Sequence, residues 1–344
     1  MGKKNMLPEI IFRRRNRKRN AKLLYTESAN RITEGKYIHI GGIEQWITIR
    51  GEDLNNPVLL FIHGGPASVY SIFNPLLRSW EKDFTIVQWD QRGAGKTFRK
   101  NGKDGSRKIT FERLAQDGIE LTQYLSKTLK KDKIVLIGSS VGSLIATMMI
   151  KTRPDLYYAY VGTDQNAPDP ENIYYQLMVE AFQSTGNQKG LKFLEKIGKD
   201  HLTWSRKDYD KMNQYLVKSI EGVPNMIMDL YFPSMLSSPD HKLRDIFDIF
   251  NGMSFSLDHL YDEFINFDIK KFGVSFEIPY FIFQGESDIL TPTTLAEDYF
   301  KEIEAPYKDF VLIKEAGHLA CFARPDQFME ELKTRVIPFI KTSS

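Results

Sequence analysis

A chain of 344 residues with 42% hydrophobic side chains is long enough to bury one large α/β core, or a core plus an insertion. A single cysteine, Cys321, excludes an intrachain disulfide and a cysteine-based metal cluster and fits a reducing compartment, and six scattered histidines with no His-Glu-x-x-His spacing argue against a metal hydrolase. The net charge of +3 hides an asymmetry: Arg13-Arg-Arg-Asn-Arg-Lys-Arg19 supplies six cations, and without them the rest of the chain stands near −3, which speaks against a nucleic-acid enzyme.

Residues 1–35 read as a basic N-terminal segment, most simply a solvated and mobile tail, although such a run can also bind nucleic acid or anionic lipid. Leu7-Pro-Glu-Ile-Ile-Phe12 is too short and too interrupted for a signal-peptide core or a membrane span, and no apolar stretch follows the Arg13-Arg14 pair as a twin-arginine signal requires. The default location is therefore cytoplasmic. Further on, β-rich runs at 45–50, 58–62, 85–89, 134–137, 158–162, 280–284 and 310–314 alternate with helical patterns at 111–129, 140–152, 292–303 and 325–340. That alternation predicts an α/β fold with a mostly parallel central sheet and helices on both faces. Between residues 162 and 280 it stops; the segment is helical in pattern, rich in aromatics and Met, and broken at Pro168, Pro170, Pro224 and Pro233. The expected organisation is a first core part at 36–163, an inserted helical cap at 164–265 and a second core part at 266–344.

The chemistry centres on Gly138-Ser-Ser-Val-Gly142, directly after the apolar run ending at Ile137. A serine on a sharp strand-to-helix turn sits in strained backbone with its hydroxyl exposed, and glycines two places before and after it remove side chains that would collide with strand and helix. Ser140, at the centre, is the candidate nucleophile. It needs a base, and the base an orienting acid. Gln284-Gly-Glu-Ser-Asp288 follows one predicted strand and Glu315-Ala-Gly-His318 the next, so Asp288 and His318 fall in the order and at the loop positions those roles demand, with Asp164 and Glu286 as reserve acids. Taken singly, His318 could be a surface histidine in a glycine turn and Asp288 a helix N-cap. His63-Gly-Gly-Pro66 follows the strand at 58–62; its small residues suit an oxyanion hole made by the N–H groups of Gly65, Gly64 and Val141, with His63 structural. Asp90-Gln-Arg-Gly-Ala-Gly95 lacks both the Walker ending and the third dinucleotide glycine, and reads as a turn held by an Asp90–Arg92 contact.

With these motifs in this order, over roughly residues 37 to 342, the sequence resembles α/β-hydrolases of the proline iminopeptidase-like serine hydrolase family. The resemblance implies the α/β-hydrolase fold with a helical cap, no cofactor and no metal, and a triad of Ser140, Asp288 and His318 acting through an acyl-enzyme. Related dehalogenases and epoxide hydrolases place Asp where Ser140 stands. Ala67 stands where family members continue His-Gly-Gly-Pro with Gly, Val141 where they have Trp, and Ser139 where they have Gly or His. The acidic cap motifs built around Trp-Glu, with which iminopeptidases grip a free amine, have no counterpart; Glu180 and Glu221 match nothing. Loss of the Trp is expected to widen the cavity beneath an apolar roof drawn from Tyr174, Tyr175, Met178, Phe182, Trp204, Met226, Met228, Tyr231, Phe232, Met235, Met253 and Phe255, most of which form the cap's own core. The favoured substrate is a carboxylic ester or lactone, bulky or macrocyclic. The alternatives are a proline iminopeptidase-like aminopeptidase acting on a short peptide and, in another class, a non-catalytic ligand-binding protein of this fold. No nucleic acid and no membrane span enter that picture, and the oligomeric state is left open.

Overall fold

The computed structural model describes residues 7–341. Its centre is an eight-stranded sheet of β1 (Ile32–Ile40), β2 (Ile43–Gly51), β3 (Val58–Ile62), β4 (Thr85–Asp90), β5 (Ile134–Ser139), β6 (Tyr157–Thr163), β7 (Tyr280–Gly285) and β8 (Lys308–Ile313), in the order β1-β2-β4-β3-β5-β6-β7-β8. The strands from β4 to β8 in that order run parallel; β2 is antiparallel to both β1 and β4. Successive side chains of a strand point to opposite faces, and the core divides accordingly. Val58, Leu60, Ile62, Ile134 and Leu136 belong to one buried cluster, whereas Leu59, Phe61, Val135 and Ile137 belong to the other. Central strands covered on both sides carry continuous apolar runs rather than alternating ones, which is why β3 and β5 were legible as strands.

The helices are α1 (Leu7–Ile11), α2 (Arg13–Leu23), α3 (Gly95–Gly105), α4 (Phe111–Leu129), α5 (Val141–Thr152), α6 (Ile173–Ser184), α7 (Gln188–Ile197), α8 (Arg206–Val217), α9 (Phe232–Ser237), α10 (Leu243–Ile265), α11 (Thr293–Glu302), α12 (Ala320–Ala323), α13 (Pro325–Glu331) and α14 (Ile337–Lys341). Helices α6 to α10 all lie between β6 and β7, which are direct neighbours in the sheet. This helical block has a core of its own in which Met178, Phe182, Leu194, Trp204, Met212 and Leu216 pack together.

Three expectations change. The basic run is an ordered helix rather than a mobile tail. Arg13, Arg17 and Asn20, on its inner side, donate to the carbonyls of His241, Ser238, Pro239 and Ser237 at the end of α9, where cationic donors satisfy carbonyls that have no helical partner. Asp90 and Arg92 do not pair. Arg92 binds Asp117 of α4 through Nε and a second guanidinium nitrogen (2.8 and 3.2 Å), while Asp90 accepts the Lys96 N–H at 2.8 Å and is pushed up to about 7 by burial. Finally, β1 was not anticipated: residues 33–36 are exposed or half-buried, so this edge strand carries little apolar signal.

Candidate active site

The parallel registry brings the ends of β3, β5 and β6 to one edge of the sheet, with Ile62 beside Gly138, and Ser139 beside Thr163. Every candidate side chain lies in a loop leaving that edge. Ser140 occupies the turn from β5 into α5 with φ 54° and ψ −129°, a conformation that costs a non-glycine residue free energy and persists only where its surroundings enforce it. They do so here: the Ser140 N–H donates to the carbonyls of Thr163 and Asp164 at 3.2 and 3.1 Å. A Cβ on Gly142 would come within 2.0 Å of the Ile62 carbonyl oxygen, and one on Gly138 within 2.8 Å of Ala146 Cβ. Both glycines are thus required by packing, as the spacing implied.

His318 Nε2 lies 3.2 Å from Ser140 Oγ, and its Nδ1 lies 2.8 Å from Asp288 Oδ2. Asp288 is held by the N–H groups of Leu290 and Thr291 on Oδ1 and by the Thr291 hydroxyl on Oδ2. It serves as a turn cap and as the imidazole's partner at once. With Nδ1–H donated to Asp288, the neutral imidazole turns the Nε2 lone pair toward Ser140. Burial works against a proton on His318, but the negative charges of Asp288 and then Asp164 outweigh it and raise the imidazolium to about 9.

The reserve acids have other tasks. Asp164 is fully buried; it accepts the Leu319 and Ala320 N–H groups at 2.8 and 3.2 Å and the Ser139 hydroxyl at 2.7 Å, and has no hydrogen bond to the imidazole. It anchors the backbone that follows His318. Glu286 is exposed and accepts the Glu315 N–H. Asp164, Asp288 and His318 are the one group among the described residues whose ligand atoms could meet on a metal ion. Any such ion would have to displace the hydrogen bonds just described, so the donor set suits this network better than a cation.

Opposite the elbow, Gly64 is so close that a Cβ on it would lie 2.6 Å from Ser140 Cβ and 3.1 Å from the Val141 nitrogen. Its own N–H, however, donates to the Tyr70 hydroxyl at 3.4 Å. Gly65 and Val141 line the chamber above Ser140. Tyr70 continues to Ser139 at 2.8 Å, and Ser139 to Asp164, so one buried chain joins the loop after β3 to the loop carrying His318. Nothing in the sequence pattern singled out Tyr70; the only signal was the unusual Ser139. His63 is structural, as expected: its Nε2 accepts the Gln91 N–H, and burial lowers it to about 4, keeping it neutral.

Above Ser140 lies a chamber of about 130 Å³ lined by Ser140, Val141, His318, Gly65 and Ser68 and roofed by Tyr174, Tyr209, Asn213, Met226, Tyr231 and Phe264 of the helical block. Directly over Ser140 the space is narrow, with Tyr174, Tyr209, Tyr231 and Phe264 among the residues that bound it. A second cavity of about 460 Å³ adjoins it, sharing Asn166, Tyr174, Tyr209, Phe264, Leu290 and Thr291. No carboxylate lines the inner chamber. The outer one has Asp169 and Asp268, whose oxygens already accept backbone N–H groups. Glu180 and Glu221 are exposed and line neither.

Residues 57–325 match the α/β-hydrolase-fold family. The chain belongs to that family. Within it, this α/β-hydrolase is 30% identical over 308 residues to a probable aminopeptidase of Bacillus subtilis, YbaC, covering 86% of this chain and 94% of the relative. It is 25% identical over 202 residues to a proline iminopeptidase of Lactobacillus delbrueckii subsp. bulgaricus, covering 57% and 66%. These relatives bear out the proline iminopeptidase-like resemblance. Among solved structures, a bacterial membrane phospholipase A superposes on the hydrolase with a TM-score of 0.62 at 13% identity, over 97% of this chain and 92% of the other, a likeness of fold.

Proposed function

We propose that this α/β-hydrolase is a serine hydrolase that cleaves a carboxylic ester or lactone whose acyl group carries no charge. The observation that carries the reading is the run Ser140 Oγ, His318 Nε2 and Nδ1, and Asp288 Oδ2 at 3.2 and 2.8 Å, opening into a chamber with no carboxylate. Ser140 Oγ attacks the carbonyl carbon while His318 Nε2 takes its proton, and the oxyanion is held by the N–H groups of Gly65 and Val141. As the tetrahedral species collapses, the alcohol oxygen leaves with the proton from Nε2, forming an ester on Ser140. Water, deprotonated by the same nitrogen, then releases the acid. Residues 164–265 act as the cap, between core parts 36–163 and 266–344. The inner chamber suits a small acyl group and the outer cavity a larger leaving group, so bulk is tolerated on one side of the scissile bond. The one cysteine, buried and unpaired, fits a cytoplasmic enzyme.

Aminopeptidase activity is the second reading, favoured by the relative that matches 86% of the chain. A free amine would then have to reach Asp169 or Asp268, the acidic groups of the outer cavity. Initial rates on p-nitrophenyl esters and lactones, set against proline and alanine p-nitroanilides with free or blocked amines, separate the two. Ester turnover indifferent to an amine is the expected result; cleavage confined to free-amine anilides would replace it with the aminopeptidase. Covalent labelling by a fluorophosphonate, lost in Ser140→Ala, excludes a non-catalytic binder.

A further inference from the structure

Of the six cations in the basic run, two are used in folding and four are not. Whereas Arg13, Arg17 and Asn20 bind the end of α9, Arg14, Arg15, Lys18, Arg19 and Lys22 are exposed, and none has an acidic partner among the described residues. Nearby carboxylates are engaged elsewhere: Glu9 accepts from Asn16, Asp240 from Asn74, and Asp245 pairs with Arg99. Beside these cations, Ile10, Ile11 and Phe12 stand exposed, Ile11 at 63%. Helices α1 and α2 both lie against α9, and Phe232 of α9 makes a tilted ring contact with Phe250 of α10, centroids 6.2 Å apart. There Leu243, Phe247 and Phe250, at i, i+4 and i+7 of α10, are exposed as well, Phe247 at 69%.

Large apolar side chains left in water beside unpaired cations are the composition of a helix that lies in a bilayer interface: the apolar groups enter the acyl boundary and the cations meet lipid phosphates. We propose that α1, the outer face of α2 and the exposed start of α10 form a docking surface for an anionic phospholipid bilayer. A nucleic acid would use the cations but gains nothing from exposed Ile and Phe, and a second copy of the chain would bring like charges together. Charge complementarity favours the lipid. No helix among the described residues is long and apolar enough to cross a membrane, so the contact is peripheral.

The test is sedimentation of the full chain with vesicles of phosphatidylcholine alone and of an equimolar phosphatidylcholine–phosphatidylglycerol mixture. Binding to the mixture only is expected. Each cation removed should lower partitioning about fivefold, so Arg15→Gln/Lys18→Gln should lose about 25-fold, and Ile11→Ser/Phe12→Ser should also release the protein, both with unaltered circular dichroism and melting. Ser140→Ala should bind like the parent, which keeps this result separate from catalysis. Failure to sediment with the mixture, equal binding to neutral vesicles, insensitivity to the substitutions, or capture of a short DNA duplex in preference to lipid would each overturn the proposal.

Discussion

The turn at Ser140 and the helical block above it are built on different terms. At the turn, identity is fixed position by position, because a Cβ on Gly142 would sit 2.0 Å from a carbonyl oxygen and Ser140 itself holds φ 54°. In the block, Met178, Phe182, Leu194 and Met212 need only be apolar and fill a common volume. A site that must place atoms to a fraction of an ångström therefore rests on backbone that admits few residues, while its roof can drift in sequence without losing its fold. That difference explains why the chemistry is easier to read than the substrate.

The largest expected effect on the turn is chemical. Ser140→Ala should cut ester turnover by at least about 10,000-fold with the melting temperature unchanged; retention of even a tenth of the rate would remove Ser140 from the mechanism. Next is the pH profile. The proposed mechanism needs neutral His318, and the folded state holds its proton up to about 9, so kcat/KM should climb with pH and level off only above that value. Asp288→Asn removes the largest influence favouring the proton, so the limb should move to lower pH while the plateau falls about 10,000-fold. A limb unmoved in this variant would show that another group titrates. Stability runs the opposite way: because His318 is raised above its ordinary 6.5, its contribution is full below that pH and is lost as pH rises through about 9.

Gly142→Ala should cost about 3 kcal/mol in urea unfolding, since backbone rather than a flexible side chain is in the way. Asp164→Asn should cost about 2 kcal/mol by weakening the bonds to Leu319 and Ala320. It should also move the pH limb down, by less than Asp288→Asn, because Asp164 is the weaker of the two charges acting on His318. Smallest is Met178→Leu in the block, below about 1.5 kcal/mol; a loss as large as that of Gly142→Ala would erase the distinction drawn here.

The parallel strands and the Ser140, Asp288 and His318 loops were readable because each depends on local order: an apolar run, a turn glycine, a polar residue just past a strand. What escaped was decided across the chain. Arg92 takes its partner from α4, 25 residues on, not from Asp90 in the same turn. Tyr70 reaches Ser139 over 69 residues. Helix α2 has no apolar stripe; side-chain bonds to carbonyls at and just past the end of α9 hold it, and composition reports only its charge. The size of the chamber depends on how Tyr174, Tyr209, Tyr231 and Phe264 converge, which no spacing encodes.

Strands β6 and β7 pair directly, yet the whole helical block separates them along the chain. Synthesis therefore completes the nucleophile turn long before it supplies the acid and the base. A nascent chain ending within the block displays Ser140 with neither Asp288 nor His318, and its β6 edge waits for a partner still to be made. On the proposed mechanism, hydrolytic competence must wait for the last two strands to be made, so the block stands between the proposed nucleophile and its partners along the chain.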